Sequence, residues 1–180
     1  MNLIEAALKL VDVLPEDAER LRTELALGSI ESIVGSVLFG FSSHRREHTI
    51  RRMCELGERI GEREELVGGQ IHLSNFYFTR GEARHGMEVA GRALELVEGT
   101  KNADLLANAL LSYAYLAGTC GRLSEAIAHF DKAREICVRA TTTSSFMGFL
   151  YPSAIRCQSA HVLHLLGRVR EAAKLAADGL

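Results

Sequence analysis

Residues 121–133, GRLSEAIAHFDKA, decide the fold. After Gly121 come Ala126 at +5, Phe130 at +9 and Ala133 at +12. A glycine ahead of a helical stretch lets the chain reverse between two helices without a Cβ clash. A small residue five positions on lets the partner helix come close. The aromatic then fills the gap between the two helices, and the last alanine faces the next pair.

The phrase recurs twice. Gly81 is followed by Gly86, Ala90 and Ala93, and Gly167 by Ala172, Ala176 and Gly179. The anchor glycines lie 40 and 46 residues apart. Tetratricopeptide (TPR) repeats run to about 34 residues and longer helical repeats to about 47. The pattern predicts an all-α, TPR-like right-handed superhelix of about four helix pairs, a single domain over residues 1–180. In the second and third copies Gly86 replaces the usual alanine, and Ala90 and Ala176 replace the aromatic, which predicts looser packing there.

Composition agrees with helix. The chain has 180 residues, two prolines and no tryptophan, with 47% apolar and 24% charged residues. Alternating β-branched stretches are few. The net charge of −2 and pI near 6.4 supply no global positive field for nucleic acid. No apolar run reaches the roughly 18 residues of a membrane span. The N-terminus lacks the basic region and cleavage site of a signal peptide. Cys54, Cys120, Cys137 and Cys157 form no CxxC. They read as reduced, packed thiols of a cytoplasmic protein; Cys54, after Arg51 and Arg52, alone has cationic neighbours.

Along the chain, the periodicity predicts helices over 2–13, from Pro15 to about 38, 44–60, 63–80, 82–98, 103–119 and 123–139. An eighth opens at Phe146 and a ninth spans 169–180. In the second helix Leu21, Leu25, Leu27, Ile30, Ile33, Val34 and Leu38 form the expected buried stripe. The third carries Ile50, Met53, Cys54, Leu56 and Ile60 inward and a basic outer face of His44, Arg45, Arg46, His48, Arg51 and Arg52. Ser43 is a candidate cap for the third helix, and Asn102 or Thr100 for the sixth. Residues 140–145, ATTTSS, read as a loop that accounts for the longer spacing. Pro152 fits only a first helical turn or a kink. The last helix closes with no polar cap, so the chain is expected to be part of a longer protein.

Four passages carry a wider resemblance: LPEDAERLRTELALG, EHTIRRMCELGERIGE, FYFTRGEARHGMEVAGRALEL and FLYPSAIRCQSAHVLHLLGRVREA. With them the chain resembles the TPR-like region that follows the P-loop ATPase domain in large bacterial signalling regulators. Those proteins carry an adenylate/guanylate cyclase or a winged-helix, sometimes LuxR-type, head. The resemblance implies a regulatory arm that senses a ligand or partner and communicates with the ATPase. The chain itself holds no P-loop, cyclase or winged-helix motif.

No catalytic set is visible, and no cofactor or metal is implied. His44 and His48 are four apart, and His161 and His164 three apart, but neither pair has an obvious third ligand. The run HRREHTIRR lacks interleaved aromatics and reads as a solvated face. The expected function is non-catalytic: a protein or peptide partner held in the concave groove lined by the first helix of each pair. Counting back from the anchor glycines, the groove positions are Ile71, Asn75 and Phe78, then Asn108, Leu111 and Tyr115, then Cys157, His161 and His164. The carboxylate clamp of chaperone-binding TPR domains is matched only at Asn75, with Ile71 where lysine belongs, which argues against that ligand. The alternative is homo-oligomer assembly through the array ends, using Leu175 and Leu180.

Overall fold

A computed structural model describes residues 2–98, 100–140, 145–146 and 149–177. Among them the elements are α1 (Asn2–Asp12), α2 (Ala18–Phe39), α3 (His44–Ile60), α4 (Arg63–Thr79), α5 (Ala83–Val97), α6 (Ala103–Thr119), α7 (Leu123–Ala140), β1 (Ser145–Phe146), β2 (Phe149–Leu150), α8 (Tyr151–Leu165) and α9 (Val169–Ala177). Each helix packs on the next, so α2–α3, α4–α5, α6–α7 and α8–α9 form four consecutive pairs with α1 against α2. The first helices of successive pairs also meet, α4 with α6 and α6 with α8.

The three anchor glycines make the same turn. Gly81, Gly121 and Gly167 have φ of 76°, 79° and 77°, a region that side-chain-bearing residues rarely adopt. Each turn closes with the same two bonds. The glycine N–H donates to the carbonyl three residues back at 2.9–3.1 Å, and the next N–H to the carbonyl five back at 2.8–2.9 Å. Local chemistry starts the helices as well. Asp17 accepts from the Arg20 N–H at 2.8 Å, and Asn102 from the Leu105 N–H at 3.0 Å. Ser43 caps α3 by accepting from the Arg46 N–H.

The core is densest between α6, α7 and α8. Ala126, Phe130 and Ala133 meet Leu110, Ala114 and Ala117, with Ile155 and Val162 closing from α8. A second cluster joins Val67 and Ile71 of α4 to Ala93 and Val97 of α5 and Ala109 of α6.

Four expectations are corrected. The buried face of α2 is Leu21, Gly28, Ser32, Gly35 and Ser36, while Ile30, Ile33, Val37 and Leu38 face out. Small residues let α2 lie close on α3: a Cβ on Gly28 would stand 3.1 Å from Met53 Cγ. Gly86 does not loosen its pair. A Cβ there would meet Leu116 Cδ2 at 2.7 Å and the Ser74 carbonyl at 3.0 Å, so glycine is what lets α5 approach α4 and α6. Phe146 does not open α8. It belongs to a short antiparallel pairing of Ser145–Phe146 with Phe149–Leu150, and α8 starts at Tyr151 with Pro152 in its first turn. The basic face of α3 is not a free solvated run. Arg46 is buried, and Arg45, Arg51 and Arg52 are held by glutamates. The expected ninth-helix end at Gly179 and Leu180, and residues 141–144 of the ATTTSS insert, lie outside the described residues.

Candidate functional site

The first helices α4, α6 and α8 bring the predicted groove residues to one layer, but not all of them to a surface. Ile71 and Leu111 are core residues, 3% and 0% exposed, so neither can meet a ligand. Their neighbours explain this: contact between adjacent first helices buries one more position per helix than counting from the glycine turn suggests. Asn75, Phe78, Asn108 and Tyr115 are half-buried, and Cys157, His161 and His164 are exposed.

Aromatic rings connect the layer. Phe78 of α4 meets Tyr115 of α6 edge-on with ring centroids 5.6 Å apart, and Tyr115 meets Phe130 of α7 at 6.0 Å. Edge-to-face pairs at this separation favour fixed ring orientations. Burial, with a smaller contribution from the neighbouring Cys157, pushes the Tyr115 hydroxyl up to about 12, so it stays protonated at neutral pH and can donate a hydrogen bond. The Asn108 carboxamide oxygen is buried with no hydrogen-bond partner among the described residues. The layer therefore offers the half-buried rings of Phe78 and Tyr115 and two half-buried carboxamide side chains, at Asn75 and Asn108. Phe130 fills the space between α6 and α7 as the repeat phrase predicts, 1% exposed, and meets Tyr115 from within the core.

Elsewhere the titratable groups are mostly tied to one another. The Arg45 guanidinium reaches Glu5 and Glu31 at 2.7 and 3.0 Å, and Glu31 also accepts from the Thr49 hydroxyl. Arg52 binds both oxygens of Glu24, at 2.7 and 3.1 Å. Arg22 pairs with Glu62, and Arg59 with Glu16. Arg46 donates to the Phe41 carbonyl at 2.8 Å and lies 5.8 Å from the ring centroids of both Phe41 and Phe76. Desolvation, with Arg46 adding to it, pushes His72 down to about 4. A cleft of about 310 Å³ between α3, α4 and α5 is lined by Arg51, Arg80 and Arg92 but also by Glu47, Glu82 and Glu88, so its charges cancel. Cys54 is pushed up to about 11 by burial, which outweighs Arg51 and leaves a poor nucleophile. Among the described residues no three His, Cys, Asp or Glu side chains converge as a metal set, and no helix is long and apolar enough to cross a membrane.

No family profile matches the chain, and no curated protein matches it in sequence. Solved structures do match in fold. A Rap protein complexed with Competence and Sporulation Factor superposes with a TM-score of 0.74 at 12% identity, over 98% of this chain and 46% of that one. Bacillus thuringiensis PlcR, in complex with the peptide PapR7 and DNA, gives 0.70 at 15% identity, over 99% and 62%. A Podosopora anserina kinesin-light-chain-type protein of nearly identical TPR-like repeats gives 0.63 at 15%, over 92% and 75%. The chain thus spans about half the length of the Rap protein and less than two thirds of PlcR. At these identities the likeness shows a TPR-like fold.

Proposed function

We propose that the chain is a non-catalytic interaction arm that holds an extended peptide segment against the layer formed by α4, α6 and α8. The observation that carries this reading is the edge-on pair of half-buried rings Phe78 and Tyr115, with Asn75 and Asn108 on the same two helices. An extended peptide presents alternating side chains and backbone amides. Carboxamides can hydrogen-bond those amides, and the half-buried Phe78–Tyr115 pair can seat an apolar side chain between them. The Rap and PlcR structures were each solved with a peptide or factor bound, which supports this class of ligand. The resemblance to bacterial ATPase-linked regulators extends the proposal: the arm would report ligand occupancy to a signalling or transcription head elsewhere in a longer protein.

The test uses a displayed library of random heptapeptides panned on the 180-residue chain. Enriched peptides should bind the wild type, and both Asn75→Ala and Tyr115→Leu should weaken them at least tenfold, about 1.4 kcal/mol, with unchanged circular dichroism. If enriched peptides bind both variants as tightly as the wild type, this layer is the wrong surface.

A further inference from the structure

We propose that the outward face of α2 is a self-association surface through which two copies of the chain pair about a two-fold axis. Among the described elements α2 packs on α1 and α3. Its inner face is made of Leu21, Gly28, Ser32, Gly35 and Ser36, while Ile30, Ile33, Val37 and Leu38 are exposed. Ala26, Ile30, Ile33 and Val37 follow a four-three-four spacing, which keeps one narrow stripe pointing the same way along a helix and suits a second helix crossing at a shallow angle. Ile30, Ile33, Val37 and Leu38 are 49%, 61%, 79% and 56% exposed.

Charge selects the occupant. Between Leu25 and Phe39 the only ionisable residue is Glu31, and its carboxylate is taken by Arg45 and Thr49. A charged partner would find nothing here to pair with. A second copy requires this neutrality, because any charge near a two-fold axis meets its own like charge. Area agrees. The outward residues expose on the order of 500 Å² per copy, so a pair would bury about 1,000 Å², the lower bound of a specific interface. Leu3 and Leu10 on the adjoining α1, 87% and 69% exposed, leave further apolar surface beside it. The surface lies at the opposite end of the array from Leu175, which is half-buried beside Ile127 and Leu163.

Sedimentation equilibrium on the 180-residue chain tests the pairing. The wild type should approach twice its 19.7 kDa mass as concentration rises through the micromolar range. Ile33→Glu and Ile33→Lys, both at an exposed position, should each raise the dissociation constant at least tenfold with helix content unchanged. Mixed one to one, they should restore the doubled mass, because opposite charges then face each other across the axis. A mass of 19.7 kDa at every wild-type concentration overturns the proposal and leaves the face to a different partner. Doubled mass in both single variants, or no recovery in the mixture, overturns it as well.

Discussion

At Gly86 the α4–α5 pair has no room for a methyl group, and the obstacle includes a backbone carbonyl as well as the Leu116 side chain. Gly68, in the interior of α4, has nothing within 4 Å of where a Cβ would stand. The same substitution should therefore have opposite signs. Gly86→Ala forces the pair apart and should cost about 1–3 kcal/mol despite the gain in helix propensity. Gly68→Ala should gain up to about 1 kcal/mol. Thermal melts of the two variants check this; a stabilised Gly86→Ala would mean the close approach is slack. His72 makes a second residue-scale prediction. Its folded pKa of about 4 lies below the unfolded value near 6.5, so the unfolded chain binds more protons between those values. The stability it contributes is whole above pH 6.5 and is lost as pH falls toward 4, by about 2 kcal/mol at pH 5. Urea melts at pH 7.5 and 5.0 should show the loss in the wild type and a smaller one in His72→Gln. Equal losses in both would place the titration elsewhere.

Among the elements, the pairs are held by different forces. The α6–α7 pair is joined by Phe130 and a set of buried alanines and leucines. The α2–α3 pair is joined by the Met53 side chain seated on Gly28 and by Arg52–Glu24 and Arg45–Glu31, whose guanidinium side chains remain 38% and 40% exposed. Exposed ion pairs are screened by salt and apolar burial is not. Raising sodium chloride from 20 mM to 1 M should lower hydrogen-exchange protection in α2 and α3 by about 1 kcal/mol and leave α6 and α7 unchanged. A uniform response would refute the division. The same contrast explains what was legible in the sequence. Gly121, Ala126, Phe130 and Ala133 announced their pair because each does the job its residue type does best. Helix α2 defeats a reading by apolar periodicity, because it turns glycine and serine inward and Ile30 and Ile33 outward. Nor does spacing show that Arg46 turns inward while Arg45 and Arg51 find glutamates on the surface; the rings of Phe41 and Phe76 that receive it come from separate segments.

For the molecule as a whole, the repeat phrase was enough to reach the architecture, because three glycine turns of matching φ set the same helix-to-helix step. The proposed peptide surface was legible only in part: Asn75, Phe78, Asn108 and Tyr115 are half-buried, whereas Ile71 and Leu111 are core residues, taken up by packing between helices that no single repeat contains. The glycine contacts also have a mechanical meaning. Cβ atoms at Gly57, Gly69, Gly86 and Gly118 would stand 2.7–3.2 Å from α4 backbone at Leu66, α3 backbone at Cys54, the Leu116 side chain and the Val162 side chain. At three of these places, Gly57, Gly69 and Gly86, where the Ser74 carbonyl stands 3.0 Å away, main chain bears on main chain and there is no rotamer to yield. Helices α3 and α4 are therefore set to move as one body, because no side chain lies between them at Gly57 and Gly69 to take up a displacement.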